Sequence, residues 1–189
     1  MAENSTTTNS AGATASGSGT AALPSSAAQA AKPGKYLSFK LAAEEHGLEI
    51  LKVQEIIGLM KITRVPTVPP FVRGVINLRG KVIPVIDLRV KFGMEAAKDD
   101  ARTCVIVVQI VQGERRVTTG IIVDEVSEVL NITADQIEPA PQFGTSVSTD
   151  FILGMGKVAE KVVMLLDIDK ILRPEQTKAL AELVPQTDA

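Results

Sequence analysis

From Lys35 onward the apolar residues fall in short runs rich in Val and Ile, each cut by Gly, Pro or Asp. Tyr36, Phe39 and Leu41 open the first run, Gly47–Leu51 follows, and Met60–Val65 ends at Pro66, Pro69 and Pro70. Gly74–Arg79 and Val82–Leu88 flank Gly80-Lys81, the spacing of a tight connection. Cys104–Val111 is the strongest strand signal; a turn at Gln112–Glu114 and a second run, Arg116–Val123, predict a β-hairpin. Val126–Leu130, Phe151–Gly154 and Lys161–Ile168 supply further strands. β-Branched side chains fit a pleated strand and lose rotamer freedom in a helix, which supports strands throughout.

Helical signals are few. Leu51–Ile57 has room for one or two turns, and Asp87–Phe92 for a turn after its strand. Pro174 at a first-turn position, then Glu175–Leu183 with Leu180 and Leu183 three apart, predicts a terminal helix packing one stripe on the body. About ten short strands without long intervening helices exclude a doubly wound α/β fold and predict an all-β chain. Small barrels and a sandwich both remain. Runs of five to eight residues suit two small barrels better than one large one, but periodicity alone leaves the choice open.

Before these runs the pattern is different. Residues 1–33 carry two charges, Glu3 and Lys32, and 24 of the 33 are Ser, Thr, Ala or Gly. So little large apolar surface does not offset ordering entropy, and the segment reads as a disordered tail; Ala27–Ala31 has transient helical character at most. It lacks a basic n-region and an apolar h-region, so it is not a signal peptide. No run of about 18 apolar residues marks a membrane helix. The expected division is a tail over 1–33, a folded body over 34–173, and a C-terminal helix and tail over 174–189. The expected location is cytoplasmic.

Composition narrows the function. The 189 residues hold 20 Lys+Arg against 22 Asp+Glu, a formal charge of −2, with 45% apolar and only 3% aromatic residues. A general nucleic-acid binder needs a basic surplus to displace counterions. One Cys precludes an internal disulfide, and one His precludes a zinc site built on several imidazoles. Any Ser-His-Asp triad would rest on His46, which lies between Glu45 and Gly47 and reads as an exposed turn residue. Gly154–Val158 lacks the upstream Gly and the hydroxyl residue of a phosphate loop. Asp167 and Asp169, with Glu160, lack calcium-loop spacing and read as solvated strand-end carboxylates; Asp124, Glu125 and Glu128 read as an exposed acidic edge. Cys104 heads an aliphatic strand and reads as a small buried hydrophobe. The chemistry points away from an enzyme, with no cofactor or metal expected.

Two features fit a binding module. Val53-Gln54-Glu55-Ile56-Ile57 surrounds a carboxylate with apolar residues, and Asn77-Leu78-Arg79-Gly80 sets an Arg at a turn. That Arg is either a solvated edge charge or a guanidinium placed to pair with a carboxylate such as Glu55.

These blocks carry a resemblance. Ile50–Ile56, Gly74–Arg89, Gly120–Leu130 and Ile137–Pro141 occur in the order and spacing of the CheW family, the coupling proteins of bacterial chemotaxis. The chain resembles that family from about Tyr36 to Leu172, departing at His46, where the family often has an aromatic residue, and in its long tail. The resemblance implies two intertwined five-stranded SH3-like barrels with an apolar seam. It implies a non-enzymatic adaptor joining the cytoplasmic tip of a chemoreceptor to the regulatory domain of the histidine kinase CheA, within membrane-associated arrays or rings. Carried over by position, Val53, Glu55, Ile56 and Arg79 fall in regions of receptor contact, with Cys104, Val105, Val126 and Val129 in the groove for a receptor helix. Gly74, Asn77, Lys81, Ile83 and Asp87 fall towards the kinase. No nucleic acid and no membrane insertion are implied. The regulatory domain of the kinase and a coupling domain fused to a receiver share the resemblance, and the chain length disfavours both. A non-flagellar pathway is not separated from swimming chemotaxis.

Overall fold

Two hairpins seed the architecture of the computed structural model, which describes residues 30–112, 114–141 and 149–173. In the first, β1 (Gly34–Leu41) pairs antiparallel with β2 (Glu44–Glu49), from Tyr36↔Glu49 to Leu41↔Glu44. In the second, β6 (Cys104–Gln112) pairs with β7 (Arg115–Val123), from Cys104↔Val123 to Gln112↔Arg115. Neither hairpin keeps the strand that follows it. After β2 a 3-10 turn over Ile50–Lys52 leads into β3 (Val53–Gly58), which pairs with β6; after β7, Asp124 leads into β8 (Glu125–Ile132), which pairs with β1. The hairpins exchange third strands, and this reciprocal exchange makes the subdomains intertwined.

Each sheet is completed by a second hairpin. In the inner subdomain it is β4 (Val72–Leu78) with β5 (Lys81–Asp87), giving the order β3-β6-β7-β5-β4. In the outer one it is β10 (Ile152–Val158) with β11 (Lys161–Leu166), plus the two-residue β9 (Ile137–Glu138), giving β8-β1-β2-β11-β10-β9. The inner sheet is therefore five-stranded and the outer six-stranded, β9 being the addition. In both, the one parallel pairing joins the hairpins, β5 to β7 and β11 to β2.

The second hairpins are copies of one design. Phe71 to Asp87 is matched position by position by Phe151 to Asp167, including Gly74/Gly154, Lys81/Lys161 and Val82/Val162. Both first strands alternate buried and half-buried residues identically, and both carry a bulge, at Val72/Gly74 and Ile152/Gly154. Both turns hold a left-handed residue, Arg79 (φ 52°) and Ala159 (φ 54°). An aspartate at the end of β5 and one just after β11 each cap a one-turn helix by accepting from the amides two and three residues on. Asp87 caps α1 (Leu88–Lys91) and Asp167 caps α2 (Ile168–Ile171).

Three apolar clusters follow. Ile76, Ile83, Val85, Val105, Val107 and Ile122 fill the inner barrel, and Tyr36, Ile132, Val163 and Leu165 the outer one. The third is the seam, where Leu37, Phe39, Leu41 and Leu48 of the outer subdomain meet Ile106, Val108, Ile110, Ile121 and Val123 of the inner. Along β6 the side chains alternate between barrel interior and seam. From Val105 to Val108 both faces of the strand are dry, which explains the aliphatic run there. Each such Val or Ile contributes about 1.5–3 kcal/mol on burial.

The structure corrects several expectations from sequence. His46 is not an exposed turn residue; it lies in β2, 3% exposed, because β11 covers its strand with the pairing Met164↔His46. Met60–Val65 is not a strand but an extended loop with a single bridge, Thr63↔Val75. The helical turn expected within Leu51–Ile57 is confined to Ile50–Lys52, and β3 follows at once. Asp167 is a helix cap with a mostly buried side chain rather than a solvated strand end. The expected terminal helix over 174–183 and tail residues 1–29 lie outside the described residues. Ala30–Pro33, at the border of that tail, are described: the Ala31 amide donates to the Leu153 carbonyl at 2.9 Å, and the Tyr36 hydroxyl to the Lys32 carbonyl at 2.7 Å. Among the described residues no helix is long and apolar enough to cross a membrane.

Candidate functional site

The residues expected to meet a receptor fall largely on the two exchanged strands. Val53, Cys104 and Val126 each pack, partly exposed, against the seam cluster. Ile56 on β3 and Val129 on β8 are 43% and 50% exposed. An apolar rim is thereby assembled from both subdomains. Val105 is the exception: its side chain is wholly buried inside the inner barrel and offers a partner no surface. Cys104 is half-buried rather than buried, its thiol 3.0 Å from the Arg102 carbonyl oxygen.

Arg79 and Glu55 are brought together. The turn joining β4 to β5 has positive φ at both central residues, Arg79 at 52° and Gly80 at 84°, the type I′ geometry of a two-residue hairpin. The Asn77 side chain closes it by accepting from the Gly80 amide at 2.9 Å. The Arg79 Nη2 then donates to Glu55 Oε2 at 2.8 Å across the edge of the inner barrel. The Arg79 side chain is 79% exposed against 25% for Glu55, so the pair sits in high dielectric and adds little to stability. Arg79 thus has features of both readings at the turn: a solvent-exposed edge charge that also reaches the Glu55 carboxylate.

The expected kinase-facing set divides differently. Asn77 and Lys81 are exposed. Ile83 is buried in the inner barrel. A Cβ on Gly74 (φ 140°) would collide with the Thr63 carbonyl oxygen, so this glycine admits the loop that crosses β4. Asp87 is 3% exposed; besides capping α1 it accepts from Arg73 Nη1 at 3.0 Å. Arg73 also donates to Asp99 at 2.8 Å. Burial works against the Arg73 charge, and the two carboxylates outweigh it, holding its pKa above the ordinary guanidinium value. Gly74, Ile83 and Asp87 thus build the hairpin, while Asn77 and Lys81 form its accessible tip.

The expected acidic edge is partly engaged. Asp124 pairs with Arg89, and Glu125 lies 3.5 Å from both Lys40 and Arg102. Sequence reading passed over Arg73, Arg89 and Phe92. The match between Phe71–Arg89 and Phe151–Asp169 is a signal for Arg89, the counterpart of Asp169; it does not reach Phe92, and Arg73 stands opposite Leu153.

One aromatic stack runs through the seam. The Phe39 and His46 ring centroids are 5.7 Å apart, His46 and Phe92 6.1 Å, and Phe92 and Phe151 5.4 Å. Three of the five phenylalanines and the only histidine therefore form one column between the subdomains. Burial lowers the His46 pKa, against the opposing influence of Glu44, and His46 Nδ1 is buried without a hydrogen-bond partner. Stacked between Phe39 and Phe92, the imidazole packs as one ring of this column.

The profile of the CheW-like domain family matches residues 35–176. The chain is 46% identical over 142 residues to the chemotaxis protein CheW of Klebsiella aerogenes, covering 75% of this chain and 83% of that one. It is 32% identical over 148 residues to CheW of Bacillus subtilis, covering 77% and 90%. Among solved structures, the scaffolding protein TtCheW of Thermoanaerobacter tengcongensis superposes with a TM-score of 0.66 at 36% identity, over 76% of this chain and 95% of that one.

Proposed function

The chain belongs to the CheW family of chemotaxis scaffold proteins, and on that premise we propose that it is a non-enzymatic adaptor coupling chemoreceptors to the histidine kinase CheA. The observation that carries this reading is the apolar rim drawn from both subdomains. Val53 on β3 and Val126 on β8 pack against the seam without being consumed by it, and Ile56 and Val129 on the same strands stay exposed. A receptor's amphipathic helix docks on such aliphatic walls through anchors at i, i+3, i+4 and i+7. Glu55 and Arg79 supply charge at the inner barrel's end of the rim, where they set register more than affinity. The kinase regulatory domain meets the hairpin tip at Asn77 and Lys81. Each contact is small and individually weak, and repetition within a membrane-associated array gives avidity.

Full-length protein mixed with a receptor signalling fragment and CheA is expected to give a ternary complex in co-sedimentation. Binding to neither partner refutes the adaptor reading. A deletion strain tested on swarm plates addresses the pathway, with lost swimming rings supporting flagellar chemotaxis.

A further inference from the structure

The exchanged strands enter their sheets at two crossovers, and each crossover is gripped by the same position of a duplicated element. Arg89 and Asp169 are the second residues of α1 and α2, two positions after the capping Asp87 and Asp167. Asp169 Oδ2 accepts from Lys52 Nζ at 2.5 Å, Lys52 being the last residue before β3. Its other oxygen, Oδ1, accepts from the Val111 amide in β6 at 2.8 Å. Arg89 Nη1 donates to Asp124 Oδ2 at 2.5 Å, Asp124 being the last residue before β8. The same Asp124 oxygen accepts from the Ala42 amide, in the β1–β2 turn, at 2.6 Å. A helix of the outer subdomain thus holds the start of the strand donated to the inner one, and the inner subdomain's helix does the reverse.

The polarity of the two sites is inverted. Position 89 is cationic against an anionic crossover; position 169 is anionic against a cationic one. Crossed pairing would set Arg89 against Lys52 and Asp169 against Asp124, so each helix fits only its own crossover. All four side chains are between 18% and 28% exposed, so these pairs are less screened than the rim pair of Arg79.

We infer that Lys52–Asp169 and Arg89–Asp124 are paired inter-subdomain clamps that fix the separation of β3 and β8, and hence the width of the partner groove. Lys52 immediately precedes Val53, and Asp124 is two residues before Val126, so each clamp anchors one wall of the rim. These four are positioning residues; they do not touch the partner. The groove part of the inference rests on the adaptor reading, whereas the clamp part stands on geometry alone.

The test uses the full chain with Cys104→Ala and spin labels on Gln54→Cys and Ser127→Cys, exposed sites on β3 and β8. Pulsed EPR reads the label-to-label distance distribution. Arg89→Gln and Asp169→Asn are expected to broaden it. Lys157→Gln, which removes an exposed pair within the outer sheet, is expected to leave it unchanged. In the unlabelled chain the same two variants should weaken binding of a receptor signalling fragment about fivefold, the scale of one ordinary hydrogen bond, and leave CheA binding within about twofold. Distributions as narrow as the parent's overturn the clamps. A broadened distribution with unchanged receptor affinity overturns their link to the groove. A parent that binds neither partner overturns the adaptor reading instead, while the EPR result still decides the clamps. If Arg89→Gln does not fold, Asp169→Asn, which can still accept from the Val111 amide, carries the test.

Discussion

His46 ties the chain's stability to pH, and the size of the effect follows from its surroundings. The imidazole is 3% exposed, stacked between Phe39 and Phe92, with Nδ1 lacking a partner. Burial favours the neutral form and depresses the folded-state pKa below 6.5. In the unfolded chain the ring titrates near 6.5. The unfolded state therefore binds the proton first as pH falls. Stability is full above pH 6.5, declines below it, and levels off under the folded pKa. Between pH 7.5 and 5.5 the loss approaches about 1.4 kcal/mol if the folded ring stays neutral throughout. Being the only histidine, His46 has little competition in that window. His46→Phe keeps the stack and removes the titration. Its absolute stability mixes relief of an orphaned polar atom, about 1–3 kcal/mol, with the strain of a larger ring, so the pH difference is the discriminating quantity. Urea unfolding of both proteins at pH 7.5 and 5.5 measures it. An equal change in the two refutes the reasoning.

Three further outcomes follow from the hairpin copies. Asp87→Ala removes a cap and leaves Arg73 without its buried carboxylate, at about 2–4 kcal/mol; Asp167→Ala, with Leu153 in place of Arg73, loses mainly a cap, at about 1 kcal/mol, and chemical denaturation should rank them so. Gly74→Ala drives a Cβ into the Thr63 carbonyl at a φ that L-residues avoid; a cost of more than about 3 kcal/mol is expected, and a thermal midpoint close to the parent's would refute the packing account. Arg79→Ala should change thermal stability by less than about 0.5 kcal/mol, because its ion pair is exposed and Ala159 already occupies the matching left-handed position. The same variant should weaken receptor coupling in a kinase-activity assay, and a large loss of stability would mark Arg79 as structural.

Much of the fold was legible where local chemistry and final environment agree. Gly80 at a hairpin turn, Asp87 before a helical turn and the dry run of β6 all declare themselves within a few residues. His46 did not. Glu44-Glu45-His46-Gly47 is polar in isolation, and the strand that buries it comes from far along the chain: Lys161 and Glu45, which pair at 3.0 Å, are 116 residues apart. The β3 segment misled similarly, since Val53–Gly58 alternates half-buried and exposed residues only because β6 lies beside it. Among expected site residues, exposure separated contact from support. Val105, Ile83 and Asp87 share their blocks with surface residues, but strand alternation or a capping role turns them inward. The crossover pairs were invisible because Lys52, Arg89, Asp124 and Asp169 look like ordinary surface charges until the duplicated helices are superimposed.

The exchange of strands also sets a timetable for synthesis. The inner subdomain is continuous from Val53 to Val123 and has all its strands once β7 has left the ribosome. The outer one waits: β1 and β2 emerge first, yet β2 gains its parallel neighbour only when β11 appears. Until then the seam residues Leu37, Phe39 and Leu41 have no finished sheet behind them, although β8 emerges earlier and already has β1 to pair with. Long-range pairing of this kind is slow to form. The outer sheet is consequently the last part of the fold to be completed on the nascent chain, and a product that stops before β10 lacks the hairpin that closes it.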